Sequence, residues 1–92
     1  MKVELKTYKK KPIPIGAVKL TMDNFYAIVD LLTEKDCIGN YKYDGTSGKC
    51  FIEIKTLEGI MKLSGGNYLL RGIHGEFYPC EASVFEESYE AA

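Results

Sequence analysis

Glycine divides the second half of this chain into short apolar runs, and that punctuation limits the fold more than any other feature. Gly45, Gly48, Gly59, Gly65, Gly66 and Gly75 recur between strand-length runs rich in Ile, Leu, Phe and Tyr. Runs of that length suit strands, and glycine supplies the positive φ of the tight turns between them. Cys50, Ile52 and Ile54 alternate with Phe51, Glu53 and Lys55, the period of a half-buried strand. Asp44 to Gly48, Glu58-Gly59, Ser64 to Asn67 and His74-Gly75 read as turns, so residues 41–80 are expected to form a β-meander of three or four strands.

Upstream the period changes. Phe25, Ile28, Val29 and Leu32 fall at i, i+3, i+4 and i+7, one face of a helix expected over residues 23–36. Thr21 or Asp23 is placed to cap it, and Cys37 to Asn40 to supply a left-handed stop. Pro12 and Pro14 force extended backbone around them, so Ile13, Ile15 and Ala17 predict an edge strand, and residues 1–11 read as a basic strand or arm. At the other end Ser83 to Glu86 has the pattern of a capping box, opening a short helix over residues 83–90. Phe85 and Tyr89, at i and i+4, would lay one aromatic face on the sheet. The expected fold is α+β: a small twisted antiparallel sheet or partly open barrel, one amphipathic helix packed on it, and a short C-terminal helix.

Ninety-two residues make a single domain, 1–92, because a second core would leave each half too small to offset the chain entropy lost on ordering. Twelve basic and thirteen acidic side chains leave a net charge of −1, which gives no strong nucleic-acid signal and no attraction to an anionic membrane. The charge is uneven, however. Lys2, Lys6, Lys9, Lys10, Lys11 and Lys19 load the first twenty residues, and Glu76, Glu81, Glu86, Glu87 and Glu90 the last seventeen. The chain has no run of the roughly 18 apolar residues that cross a bilayer, and the charged start lacks the apolar region of a secretory signal, so a cytoplasmic location is expected. Cys37, Cys50 and Cys80 are too widely spaced for a disulfide framework. With His74 they could supply four zinc ligands, but none lies in the close Cys-x-x-Cys pairing such sites use. No cofactor or metal is expected.

Tyr8-Lys9-Lys10-Lys11-Pro12, Thr56-Leu57-Glu58-Gly59 and Gly75-Glu76-Phe77-Tyr78-Pro79-Cys80, with Phe85 and Tyr89, carry a resemblance. They resemble the motifs of a family of small bacteriophage and prophage proteins. Its members are typically written Tyr-Arg-Lys-Lys-Pro near the start, and Pro-Gly-Asp-Tyr then Gly-Glu-Phe-Tyr-Pro-Cys near the end. Here Gly66-Asn67 stands for the usual Gly-Asp, and Gly16 stands where an acidic residue is often found. The resemblance implies a phage or prophage origin and the cytoplasm of an infected or lysogenic bacterial host. It implies no activity, since that family has no settled biochemical function.

His74 is the one side chain suited to proton transfer near neutral pH, yet no nucleophile or second carboxylate is tied to it by a recognised spacing. Cys80 follows Pro79 in an apolar run and reads as a small buried hydrophobe. Gly65-Gly66 lacks the Lys-Ser or Lys-Thr of a phosphate loop. Seven tyrosines without a tryptophan point instead to recognition, because a tyrosine surface is apolar and hydrogen-bonding at once. Tyr8, Tyr41, Tyr43 and Tyr68, with Lys9, Lys11, His74 and the single arginine Arg71, are expected to form a cationic aromatic ligand-binding surface. The expected function is that of a non-catalytic binding protein, a counter-defence factor that sequesters a nucleotide-type small molecule or blocks a host protein. The alternative is a virion or replication accessory protein that assembles as a homo-oligomer through β-edge contacts.

Overall fold

The computed structural model describes residues 2–9 and 11–90. Its elements run β1 (Gly16–Lys19), α1 (Phe25–Glu34), β2 (Ile38–Asp44), β3 (Lys49–Thr56), β4 (Gly59–Ser64), β5 (Tyr68–Arg71), β6 (Phe77–Cys80) and α2 (Ala82–Ser88). The α+β class, the amphipathic helix and the short C-terminal helix are as expected. The strands divide between two antiparallel sheets of three, β2-β3-β4 and β1-β5-β6.

The meander ends at β4 because the next turn hands the chain to β1. Gly66 N–H donates to the Leu20 carbonyl, and Leu20 N–H donates to the Asn67 carbonyl, both at 2.8 Å. β5 therefore leaves β4 and pairs with β1 from Gly16↔Arg71 to Lys19↔Tyr68. As an edge strand β1 tolerates the prolines before it. Residues 2–9 form no strand and lie exposed, and Met1 and Lys10 of the expected strand or arm lie outside the described residues.

α1 buries Phe25, Ile28, Val29 and Leu32, the face its periodicity predicts. They join Leu20, Cys50, Ile52, Ile54, Leu63, Leu69 and Phe77 in one cluster between the helix and the two sheets. Each large aliphatic or aromatic side chain there contributes about 1.5–3 kcal/mol, enough in sum to hold a short helix that would be marginal alone. Neither Thr21 nor Asp23 caps a free helix amide; Asn24 is the N-cap, and Thr21 is tied to it. Asn24 N–H donates to Thr21 Oγ1 (3.3 Å) and Thr21 N–H donates to Asn24 Oδ1 (2.8 Å), a reciprocal pair one turn before the helix. The left-handed stop comes earlier than Cys37. Asp36 takes φ 54°, while Asp36 N–H reaches the Thr33 carbonyl (3.0 Å) and Cys37 N–H the Leu32 carbonyl (2.9 Å). This is a Schellman end with an aspartate where glycine is unstrained. Asp36→Gly is expected to raise stability by about 0.5–1 kcal/mol in urea unfolding; an unchanged or lower midpoint would mean that the carboxylate itself supports the turn.

Gly39 lies inside β2, where it builds a bulge. Ile38 pairs with Ile54 and Tyr41 with Ile52, so Gly39 and Asn40 together face Glu53. A Cβ on Gly39 would stand 3.0 Å from Glu53 Cβ and 3.2 Å from its carbonyl oxygen, and the Glu53 carboxylate accepts the Asn40 amide (3.2 Å). The extra residue reverses the alternation, so Ile38 and then Tyr41 and Tyr43 share one face of the sheet. That face meets Phe25, whose ring centroid lies 6.0 Å from Tyr41 and 5.3 Å from Tyr43.

α2 is capped from a distance. Its flank is Glu81, Ser83 falls inside the first turn, and the expected capping box does not form. The Ala82 amide instead donates to Asn67 Oδ1 (3.0 Å) from the β4–β5 turn. A residue fifteen positions away does what the local pattern promised, because the same turn already holds Leu20 and sits beside the helix start. The aromatic face lands as predicted: Tyr68 stacks on Phe85 (4.0 Å, 22°) and Phe85 on Tyr89 (5.1 Å, 25°). Asn67→Ala should cost about 1–2 kcal/mol, and Asn67→Asp much less because the acceptor remains. Thermal melts of the two variants test this; equal losses would mean that the side-chain oxygen is not the cap.

Candidate anion-binding cleft

The expected cationic aromatic surface is not one surface. Tyr8, Lys9 and Lys11 are exposed on the arm, and Lys10 lies outside the described residues. Tyr41 and Tyr43 join Phe25 and Tyr26 at the start of α1, with Tyr26 and Tyr43 centroids 5.4 Å apart. Tyr68 belongs to the α2 stack on the other sheet, and Lys19 Nζ lies 5.9 Å from its centroid. The Arg71 guanidinium lies over Gly16, where a Cβ would meet it at 3.2–3.4 Å. His74 occupies the β5–β6 turn, and its amide donates to Glu76 Oε2 (3.0 Å). Composition suggested one surface, but these residues are divided among the N-terminal segment, two different sheets and the β5–β6 turn.

A different set does converge. A cleft of about 670 Å³ opens between the stretch Leu20 to Met22, the β2–β3 turn and the β4–β5 turn. Cross-strand pairing builds its wall: Lys42, Phe51 and Ser64 stand opposite one another across β2, β3 and β4. Lys49 lies two residues before Phe51 and Lys62 two before Ser64, so both share that face. Lys62 Nζ lies over the Phe51 ring, 4.3 Å from its centroid. Lys42, Lys49 and Lys62 thus meet a half-buried ring, with the Ser47 and Ser64 hydroxyls beside them.

Asp44 is the carboxylate in the lining. The Ser47 hydroxyl first, then the Ser47 and Thr46 amides, hold its pKa below the ordinary carboxylate value, with Lys42 adding to the effect. Asp44 therefore stays ionised at neutral pH and is occupied in closing the β2–β3 turn, whose Gly48 takes φ 73°. The lining holds three lysines and one aspartate, with Glu53 opposite Lys62 outside it, and the balance within the cleft favours an anion. The amides of Gly65 and Gly66 already donate to the Cys50 and Leu20 carbonyls, so side chains rather than backbone would bind it.

Elsewhere the chemistry is quieter. Burial raises the Cys50 thiol pKa, and burial followed by the nearby Asp36 raises that of Cys37, so both stay protonated thiols at neutral pH. Burial first, then Tyr89, raises the Tyr78 hydroxyl. Among the described residues, no three His, Cys, Asp or Glu side chains come close enough to hold a metal ion, and no helix is long and apolar enough to cross a membrane.

Sequence reading missed Lys42, Lys49, Phe51 and Lys62 as a group. Each of β2, β3 and β4 carries a lysine on its outward face, but the meeting of these lysines depends on register. Compared with known proteins, the chain matches no family model, no curated protein and no solved structure.

Proposed function

We propose that the protein is a non-catalytic binding protein that holds an anionic, nucleotide-type small molecule in the Lys42, Lys49 and Lys62 cleft. In a phage or prophage setting it would act as a counter-defence factor, sequestering a nucleotide signal in the host cytoplasm. The single supporting observation is that Lys42, Lys49 and Lys62 line one cleft of about 670 Å³ with Phe51, over whose ring the Lys62 Nζ lies. Binding clefts for small molecules span roughly 300–1,000 Å³, so a nucleotide fits by size. Lysines suit phosphate as point charges, and the ring offers a face for a base once Lys62 swings onto the phosphate.

Calorimetry against a cyclic dinucleotide, ADP-ribose and inorganic phosphate tests the reading. Each charge-assisted hydrogen bond contributes about 1.5–3 kcal/mol, so Lys49→Glu or Lys62→Glu should weaken binding by roughly tenfold to a hundredfold. Added salt should weaken it too. No heat with any of the three ligands, or equal affinity in the lysine variants, would remove the proposal. A second reading, assembly through strand edges, is favoured by the exposed side chains on the outer strands, Val18 on β1 and Ile60 on β4.

A further inference from the structure

Asp44 is the one carboxylate among the lysines of the cleft, and strand register places it next to the aromatic ring. It ends β2 directly opposite Lys49, the first residue of β3. Lys42 and Phe51 form the corresponding pair two residues along each strand, and so stand on the same face. Cross-strand neighbours lie about 5 Å apart and diagonal ones about 7–8 Å, so the Asp44–Lys49 pair is within reach of the edge of a flat base stacked on Phe51.

The turn uses only part of the Asp44 carboxylate. The Thr46 and Ser47 amides both donate to Oδ1, at 3.0 and 3.2 Å, which fills that oxygen. A carboxylate offers about four acceptor positions, and the Ser47 hydroxyl takes a third. The remaining one is on Oδ2. Half-buried in the lining, Asp44 thus keeps an acceptor for a ligand while Lys49 across the ladder supplies a cationic donor.

An acceptor and a donor held about 5 Å apart match the two ends of one base edge in particular. Guanine carries its N2 amino donor and its O6 acceptor at opposite ends of that edge. Adenine sets its N6 donor beside the N1 acceptor and has only hydrogen at C2, so it fills one of the two positions. At the other end of the ring stands Lys62. It lies two residues before Ser64, the partner of Phe51, on the side away from Asp44. Glu53, opposite Lys62, accepts the Asn40 amide at 3.2 Å. Base edge and phosphate therefore find their partners on opposite sides of Phe51.

We infer, resting on the nucleotide reading of this cleft, that its preferred base is guanine: the base stacks on Phe51, its N2 amino group donates to Asp44 Oδ2, and its O6 accepts from Lys49. Lys42 and Lys62 are left for phosphate. Asp44 is then the residue that determines base specificity, and the lysines supply affinity common to every nucleotide.

Calorimetry on the full chain with GDP, IDP and ADP tests this, because GDP and IDP differ only in the amino group at C2. GDP should bind about tenfold more tightly than either of the others, the effect of one charge-assisted hydrogen bond. In Asp44→Asn the side-chain oxygen stays with the Thr46 and Ser47 amides, so the turn persists and a donor replaces Oδ2. That variant should keep the circular dichroism spectrum of the wild type and bind GDP no more tightly than IDP. The ratio of the two affinities cancels the general gain that follows from removing a negative charge. Equal affinity for GDP and IDP in the wild type, or a preference for GDP that survives Asp44→Asn, would overturn guanine selection and leave the nucleotide reading standing. No binding of any of the three would overturn both.

Discussion

Phe25→Ala is expected to cost about 3–5 kcal/mol, the range for removing a fully buried aromatic side chain. For a domain whose whole stability lies near the low end of about 5–15 kcal/mol, that leaves little folded protein at physiological temperature. The size of the effect follows from position. Phe25 is fully buried, opens α1, and touches Tyr26, Tyr41 and Tyr43, so it joins the helix to the bulged strand β2. Tyr26, 57% exposed, covers the same ring from outside at 5.0 Å. Tyr26→Ala should therefore cost only about 1 kcal/mol, mainly the edge-to-face contact. Urea unfolding followed by near-ultraviolet dichroism, which reads the tyrosines, compares the two. Similar losses would mean that the aromatic group is a surface ornament and that α1 is held from its other end.

Gly65→Ala should cost about 1–3 kcal/mol by overpacking, with the strain concentrated on one neighbour. A Cβ there would stand 2.9 Å from Cys50 Sγ and 3.5 Å from the Cys50 carbonyl, whose oxygen accepts the Gly65 amide at 2.9 Å. Cys50 is 8% exposed and belongs to the core, so its sulfur has little room to move. Removing that sulfur should relieve the clash. In a double-mutant cycle Gly65→Ala and Cys50→Ala together should cost less than the sum of the single changes, by about 1 kcal/mol or more. Gly66 supplies the contrast. Its φ is 93° and an added Cβ would meet nothing within 4 Å, so Gly66→Ala strains only the backbone and gains nothing from Cys50→Ala. Equal coupling at both glycines would show that the turn, not the sulfur, sets the penalty. Both residues line the cleft, so Gly65→Ala should also disturb anion binding, whereas Phe25 lies outside the lining.

These variants separate what was legible in the chain from what was not. The buried face of α1 could be read from four residues because helical periodicity is a local property. The same holds for the inward Cys50, Ile52 and Ile54 of β3 and for the aromatic face of α2. In β2 the local rule fails, since the Gly39-Asn40 bulge puts Ile38, Tyr41 and Tyr43 on one face where strict alternation would split them. Ser83 offered a cap by its spacing, yet Asn67 took the role because tertiary packing set its oxygen nearer the free amide.

Composition and periodicity by themselves determined the class, the helices, most turns and the core positions of α1 and β3, because each follows from the order of neighbouring side chains along the backbone; Leu20, Leu63, Leu69, Leu70 and Phe77 joined the core only through strand packing. Strand partnership was decided only in three dimensions. Whether β5 would join β4 or β1 turned on two hydrogen bonds between Leu20 and the Gly66-Asn67 turn, residues far apart in the chain. That choice separated Tyr43 from Tyr68 and Arg71, while the register of the other sheet brought Lys42, Lys49 and Lys62 around Phe51. Cross-strand neighbours lie about 5 Å apart whatever their distance in sequence, and for that physical reason a binding surface made of them becomes visible only when the sheet is formed.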